Sequence, residues 1–464
     1  MRTPLLVLAA LVGLPGAAHA ASLWHVWQAA RTNDPAFDAA AARLRAAATE
    51  RPSALALLLP HAAIAAGAGP QNQNFNGADF YGSGFEPITE AQHLNVSTWQ
   101  ATLTQTLFDW GQIRSYQAAG FAVQAAAATY QATLEHLVAQ VIDADVTVLA
   151  AQADLTSLQH AEHGFQAEYH DAEARYRAGL SGVIGADEAR AADQSIRAQV
   201  IAAQTRLIAA RETLAALTGS ATITATGTLP NVLSLPAPGA ISQWLNRAQT
   251  GNPTLAAAQL TVRDDAALVA AARGSYLPAI SLQLQHVQLA QAGTARYGFL
   301  GQSQIGPGYS AQQGNTVTVQ LSWHFFSGGA TLAATDRARA IRDEARDNAA
   351  TARLRVIRTV RTDYFAVVLD QARLAAARSA SMVAARAVRA AGDGVRAGLI
   401  SQSDLIADRQ ERLSAQLALH RAIVAAITHQ VGLAEAAGSA TPLLVRQISI
   451  LLTPTQSPRS NAHG

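Results

Sequence analysis

Five landmarks recur along this chain at a spacing constant to one residue, so whatever it folds into, it builds twice. Asp34-Pro35 returns as Asn252-Pro253, and Leu59-Pro60 as Leu277-Pro278. Leu107-Phe108-Asp109-Trp110-Gly111 returns as Phe325-Phe326-Ser327-Gly328-Gly329. In these three pairs the copies lie 218 residues apart. Arg177-Ala178-Gly179-Leu180 then matches Arg396-Ala397-Gly398-Leu399, and Gly219 matches Gly438, both at 219, so one residue has been inserted between. A fixed internal period is the mark of a duplicated structural unit. It divides the chain into a first repeat (21–219), a linker (220–240), a second repeat (241–438) and a tail (439–464). That tail, its Pro- and Ser-rich end from Thr453 to Gly464 especially, reads as disordered.

Each repeat reads as helix, strand pair, then two long helices. In the second copy a helical stretch from Trp244 to Arg273 is interrupted at Gly251-Asn252-Pro253, where proline stops one helix and can start the next. After Pro278 the period changes to two. Ile280, Leu282 and Leu284 alternate with Ser281, Gln283 and Gln285. A Gly-rich polar stretch, 293–314, follows as a loop. Alternation then returns, with Val317, Val319, Leu321, Trp323 and Phe325 against Thr318, Gln320, Ser322 and His324. Both alternating stretches have the length of a tilted membrane strand, about 9–11 residues. One apolar and one polar face suits a wall between lipid and a watery lumen. Alternation alone suits a two-sided sheet in a soluble sandwich equally well.

The helices are less ambiguous. Residues 330–391 contain no Gly and no Pro, enough for a rod of roughly 90 Å at 1.5 Å per residue. No compact globular domain needs such a helix. Beyond a turn marked by Gly392, Gly394 and Gly398, a second run reaches Val431. In the first copy Ile196, Val200, Ala203, Leu207, Ala210, Leu214 and Leu217 are spaced alternately by four and three, a coiled-coil seam. Ile406, Leu413, Leu417, Val424, Ile427 and Val431 form a similar stripe.

Met1-Arg2, the apolar run Leu5–Leu14 and Ala18-His19-Ala20 read as a cleavable secretory signal, with the mature chain expected from Ala21. No other stretch approaches the ~20 apolar residues of a membrane helix, a test to which barrel strands are blind. There are no cysteines, which excludes disulfides, thiol catalysis and cysteine metal sites. The net charge is +2, with Arg scattered among acids along helical stretches, so no nucleic-acid partner is indicated. Of His160, Glu162, His163 and His170, the three histidines fall on one helical stripe, but the spacing is not that of a zinc helix and reads as a solvated face. No phosphate loop, nucleophile elbow or paired-carboxylate site stands out. The expectation is no enzyme, no cofactor and no metal.

If the alternating stretches are membrane strands, one chain supplies about four. Four strands cannot close, and open edges cannot rest in lipid, so several copies must share one barrel. A secreted soluble coiled-coil scaffold or stalk is the competing reading. It explains the rods but not the strands in register.

Taken in order and in duplicate, these features resemble the TolC family of outer-membrane efflux proteins over about Leu23–Gly438. They are the early helix ending at Asn33-Asp34-Pro35, the Leu-Pro before each strand pair, the two strand exits, and the turns Tyr176-Arg177-Ala178-Gly179-Leu180 and Val395-Arg396-Ala397-Gly398-Leu399. The resemblance implies a mixed α and β membrane protein of the outer membrane. It would be a homotrimer with a shared twelve-stranded β-barrel, four strands per chain, continued by a long α-helical coiled-coil tunnel in the periplasm. It also implies docking to an inner-membrane transporter through a periplasmic adaptor, with passive passage of substrate in drug efflux or type I secretion. The cargo is not readable from the residues.

By the same carry-over, Gly179, Leu180, Gly398 and Leu399 are the adaptor-docking tips. Asp404 matches the first aspartate of an acidic ring at the channel entrance, and Asp408 lies one position beyond the place of the second, which is Ala407. The family's closing latch is mostly missing. Its tyrosine is Val395 here, its arginine Ile400 and its partner aspartate Gly185.

Overall fold

The computed structural model describes residues 23–452 apart from positions 83, 226, 231, 234, 235, 300 and 301; the expected signal segment and the last twelve residues lie outside them. The first repeat holds α1 (Leu23–Asn33), α2 (Pro35–Ala48), α3 (Glu50–Ala56), β1 (His61–Tyr81), β2 (Gly84–Phe108), α4 (Trp110–Arg177) and α5 (Val183–Thr218). The second holds α6 (Ile241–Gly251), α7 (Pro253–Gly274), β3 (Ala279–Phe299), β4 (Gln302–Ser322), α8 (Ala330–Arg396) and α9 (Gln402–Ala436); α10 (Pro442–Leu452) follows. One difference between the repeats has a local cause. The helix before the strands is continuous in α7 but broken at Thr49 between α2 and α3. Pro52 lacks an N–H and crowds the carbonyl four residues back, so the helix interrupts there.

Contacts divide the chain into two compact units, one built from residues up to Leu44, Ala127–Ala257 and Ala350 onward, the other from Arg45–Ala126 and Ala258–Ala349. The second unit carries one antiparallel sheet in the order β1-β2-β3-β4. Its strands run 21 to 25 residues, about twice the expected length, and the Gly-rich 293–314 stretch is strand on both sides of the turn rather than loop. Glycine there serves close strand approach. A Cβ on Gly293 would lie 2.8 Å from Leu94 Cα, and one on Gly308 would lie 3.1 Å from Leu94 Cδ2. The backbone ladder therefore carries pairing past the point where side-chain alternation stops signalling it.

The helical unit is held by the seams expected from sequence. Ile196, Val200, Ala203, Leu207, Ala210 and Leu214 of α5 are buried, as are Ile406, Leu413, Ile427 and Val431 of α9. Its largest core joins α1, α4, α5, α9 and α10 through residues such as Val26, Ile142, Leu214, Ile423 and Ile448. The tail is thus not wholly disordered. Residues 442–452 form α10, which starts on Pro442 and buries Val445, Ile448 and Leu452. Arg446 stacks over Trp24 at 4.2 Å, and Thr228 N–H of the linker donates to Leu452 O. α9 is apolar and long enough to cross a membrane, but half of that stretch is buried inside this unit.

The duplication landmarks turn out to touch one another. Gly219 ends α5 and Gly438 follows α9, both with left-handed backbone, φ +69° and +68°. Gly219 packs on Asn33, just before Asp34-Pro35, and Gly438 packs on Gly251, just before Asn252-Pro253. Asp34 caps α2 through Ala36 and Phe37 N–H, and Asn252 caps α7 through Leu255 N–H. Asn252 also donates to Ala436 O at 3.0 Å, which an aspartate could not do.

Candidate functional site

Two regions carry chemistry, the sheet wall and the helix-turn ends. Cross-strand register sorts the wall into faces. Near the helices, one face carries Ala62, Ile64 and Ala66 of β1, Leu103, Ala101 and Trp99 of β2, Ile280, Leu282 and Leu284 of β3, and Val317, Val319 and Leu321 of β4. The other carries Thr104, Thr102, Gln100, Ser281, Gln283, Gln285, Thr316, Thr318 and Gln320. The apolar face is open to its surroundings. Ile64 is 79% exposed, and Val317, Val319 and Leu321 each exceed 60%. Water would not tolerate this contiguous surface without a cover. On β2 the band runs from Phe108 to Trp99, interrupted by Gln105, while on β3 and β4 its aliphatic part stops at Leu284 and Val317, with His286 and Asn315 next on the same face; ten residues of tilted strand span about 25 Å, the height of a lipid-facing band. Trp99 closes its outer edge, with Nε1 donating to Gln288 and its ring 4.8 Å from His286.

Farther out the polarity inverts. Asn95, His93, Thr294 and Arg296 occupy the formerly apolar face, and Leu94 and Ala295 are buried on the formerly polar one. Alternation therefore breaks phase within single strands, which is why sequence reading cut them short.

The two long-helix turns are built alike. Gly179 (φ +70°) donates to Tyr176 O and Leu180 N–H to Arg175 O, while Gly398 (φ +71°) donates to Val395 O and Leu399 N–H to Gly394 O. This paired 5→2 and 6→1 closure is the Schellman motif, whose second outer residue usually packs back on the helix. Here its partners would be Arg175 and Gly394, and the leucines stay 79% and 80% exposed. The turn geometry explains the glycines. It leaves Leu180 and Leu399 without an intramolecular role.

Asp404 sits in the first turn of α9 in a capping box with Ser401. Its Oδ2 accepts from Ser401 N–H at 3.1 Å and from Ser401 Oγ at 2.7 Å, and its own N–H donates to Ser401 Oγ. These bonds hold the exposed carboxyl below the usual range. Asp408 is half-buried one turn on. The positions to which the resemblance assigned the latch are absorbed locally. Val395 packs with Val388, Ala391 and Leu405 of its own hairpin, Ile400 lies over Gly394, and Gly185 faces open space.

A different tie stands two turns deeper, and sequence reading missed it. Glu168 of α4, a buried carboxylate, accepts from Arg409 Nη2 at 2.6 Å and from Gln402 Nε2, both of α9. Ser403 donates to Glu188 of α5. Gly164 gives the guanidinium its space, because a Cβ there would overlap Arg409 Nη1. The partners lie more than two hundred residues apart, and the only local hint was a glycine inside a long helix. Higher on α9, His420 meets Asp154 of α4 at 2.7 Å. His160, His163 and His170 join no group of metal-ligating type among the described residues.

The sequence profile of the outer membrane efflux protein family matches residues 26–220 and 244–439, one span per repeat. The chain belongs to this family. Its members are outer-membrane channels, not enzymes, and they assemble as trimers that work with an adaptor and an inner-membrane pump. The chain is accordingly an outer-membrane protein, and the soluble-scaffold alternative falls. No curated protein sequence matches it. Among solved structures, the CmeC outer membrane channel of Campylobacter jejuni is similar at 17% identity and a TM-score of 0.75, covering 93% of this chain and 89% of that one. The outer membrane protein VceC of Vibrio cholerae is similar at 18% identity and 0.69, covering 90% and 96%. At such identities the likeness concerns the fold.

Proposed function

We propose that this efflux-family chain is the passive exit duct of a tripartite efflux pump or type I secretion system, working as a homotrimer. Three four-stranded sheets would share one twelve-stranded barrel, continued by a tunnel of the long helices. Substrate passes outward without chemistry on the duct. The observation that carries this reading is the exposed apolar band backed by a Gln- and Thr-rich face, on a sheet whose outer strands β1 and β4 pair on one side only among the described residues. A face of that kind needs lipid, and such edges need further strands.

In this reading Gly179, Leu180, Gly398 and Leu399 are the docking tips, with the two exposed leucines offered to the apolar side chains of a periplasmic adaptor. Asp404 and Asp408 form an acidic ring at the entrance, where like charges from three copies favour cations. The capping box gives Asp404 a second role in starting α9. The polar tie at Glu168 and Arg409 holds the α8–α9 hairpin against α4 and α5 and stands in for the missing latch.

Membrane fractionation with planar-bilayer recording tests the duct. A heat-modifiable outer-membrane trimer that conducts ions is expected, and a soluble periplasmic product overturns the proposal. In the same bilayers Arg409→Ala raises the resting conductance several-fold with trimer yield preserved. An unchanged conductance removes the pair from the gate.

A further inference from the structure

Where α4 lies against α9, the two helices exchange charge at two places. Glu168 meets Arg409, and about four turns away along α4 Asp154 meets His420. Between these pairs the helices leave a cavity of about 90 Å³. Its apolar lining includes the buried Phe165 and Leu413. Its polar lining is His160 of α4 with Arg409, Arg412 and Gln416 of α9. Ser157 also borders it, but its hydroxyl already donates to Ala153 O at 2.9 Å. Among the described residues no carboxylate lines the space.

The donors around this cavity are unanswered. Arg409 engages Glu168 through Nη2, and its Nη1 fills the space left by Gly164. Its Nε is buried and has no hydrogen-bond partner. A buried donor without an acceptor is costly. Arg412 and His160 are exposed, and neither joins an ion pair among the described residues. Two guanidinium groups, an imidazole and an amide thus border one small space that holds nothing of opposite charge. Repulsion between the two cations is less screened beside apolar side chains than in open water.

We infer that this cavity is an anion site, and that its ligand is a phosphate group, free or at the end of a small phosphomonoester. The size agrees. A water molecule takes about 30 Å³ of liquid, so the space holds about three waters or one tetrahedral oxyanion in their place. The donor set agrees as well. Guanidinium groups pair with phosphate oxygens through fixed N–H forks, and His160 and Gln416 each carry an N–H in every protonation state. The buried Nε of Arg409 gains an acceptor while Nη2 keeps Glu168. A bound anion bridges α4 through His160 to α9 through Arg409 and Arg412, and so reinforces the Glu168–Arg409 tie. The site itself is independent of the duct reading, and its effect on the entrance rests on it.

The test is titration calorimetry of the full-length protein in detergent with inorganic phosphate, at an ionic strength held constant with chloride. One site per chain is expected, with a dissociation constant of about 1 mM. Arg412→Gln weakens it about tenfold, as the loss of one charge-assisted hydrogen bond should. His160→Ala weakens it less, and Arg412→Lys, which keeps the charge, recovers part of the affinity. The rise in melting temperature with phosphate follows the same order, since the ligand binds the folded protein. Glycerol phosphate separates the two sources. Equal affinity means that the site reads a terminal phosphate group, and loss of binding means that it takes the free anion. Absence of saturable heat with both ligands overturns the site, as does equal affinity in wild type, Arg412→Gln and His160→Ala. In planar bilayers phosphate is expected to lower the resting conductance about twofold, and to leave that of Arg412→Gln unchanged. An unaltered wild-type conductance with binding intact overturns the bridge between helices. A protein that binds phosphate and forms no channel would defeat the duct reading alone.

Discussion

Gly438→Ala abolishes most of the folded protein, at an expected cost above about 3 kcal/mol. Two effects add. A side chain at φ +68° costs about 1 kcal/mol, and its Cβ would overlap the carbonyl of Gly251 and lie 2.8 Å from Asn252 N. Both obstacles are backbone, fixed by the Asn252 caps on α7 and on the end of α9. Two other left-handed glycines calibrate the effect. At Gly219 the obstacle is the Asn33 side chain, with its Cβ 2.9 Å away, which can shift; at Gly398 nothing lies within 4 Å. The loss on changing to Ala is therefore ordered Gly438 over Gly219 over Gly398, with about 1 kcal/mol at the last. Urea unfolding of the purified variants in detergent, with the yield of heat-modifiable protein, measures the order. Equal losses at all three sites would mean that backbone conformation alone sets the cost.

The same glycines explain why so much of the fold could be read from sequence. Helix ends, caps and tight turns impose local demands that few residues meet, so Gly219, Gly438, Asp34-Pro35 and Asn252-Pro253 had to recur wherever the unit recurred. The buried seams were legible for a similar reason, since a long helix in a bundle must repeat its apolar residues at four and three. Legibility ended where the determining interaction was not local. β3 and β4 continue through a polar, Gly-rich stretch because ladder hydrogen bonds ignore side-chain type, and inversion of the faces above Trp99 hides the period. α10 has only eleven residues, too short to stand out beside a Pro- and Ser-rich end. Glu168 and Arg409 meet through packing of α4 on α9, and neither residue's neighbours in sequence say so. Asp404 was visible as an aspartate at a helix start, a description that a capping residue and a pore ligand satisfy equally.

Asp145→Asn stabilises the protein at pH 8 by about 3–4 kcal/mol and leaves it almost unchanged at pH 4. Asp145 lies on α4 among the fully buried Val141, Ile142, Val148 and Leu149. It is itself fully buried, and neither carboxyl oxygen has a hydrogen-bond partner. Two other buried aspartates of this unit are compensated. Asp193 is paired with Arg197, and Asp370 with His429 and Arg373. Burial alone therefore pushes Asp145 up to about 7. The unfolded chain holds this proton only below the ordinary value near 3.8. Below that pH both states are protonated and the site costs nothing extra. As pH rises from about 4 through 7, the unfolded state has released the proton that the folded state retains or must lose at a cost, so stability falls. Three pKa units at about 1.4 kcal/mol each amount to about 4 kcal/mol by pH 8. Asparagine has nearly the same shape and cannot ionise, so its stability curve stays level over that window. Urea midpoints of both proteins between pH 4 and 8 should start within about 1 kcal/mol of each other and diverge steadily. Parallel curves would mean that the carboxylate has a partner or a path to water, and an uncompensated charge in the helix core would no longer explain the position.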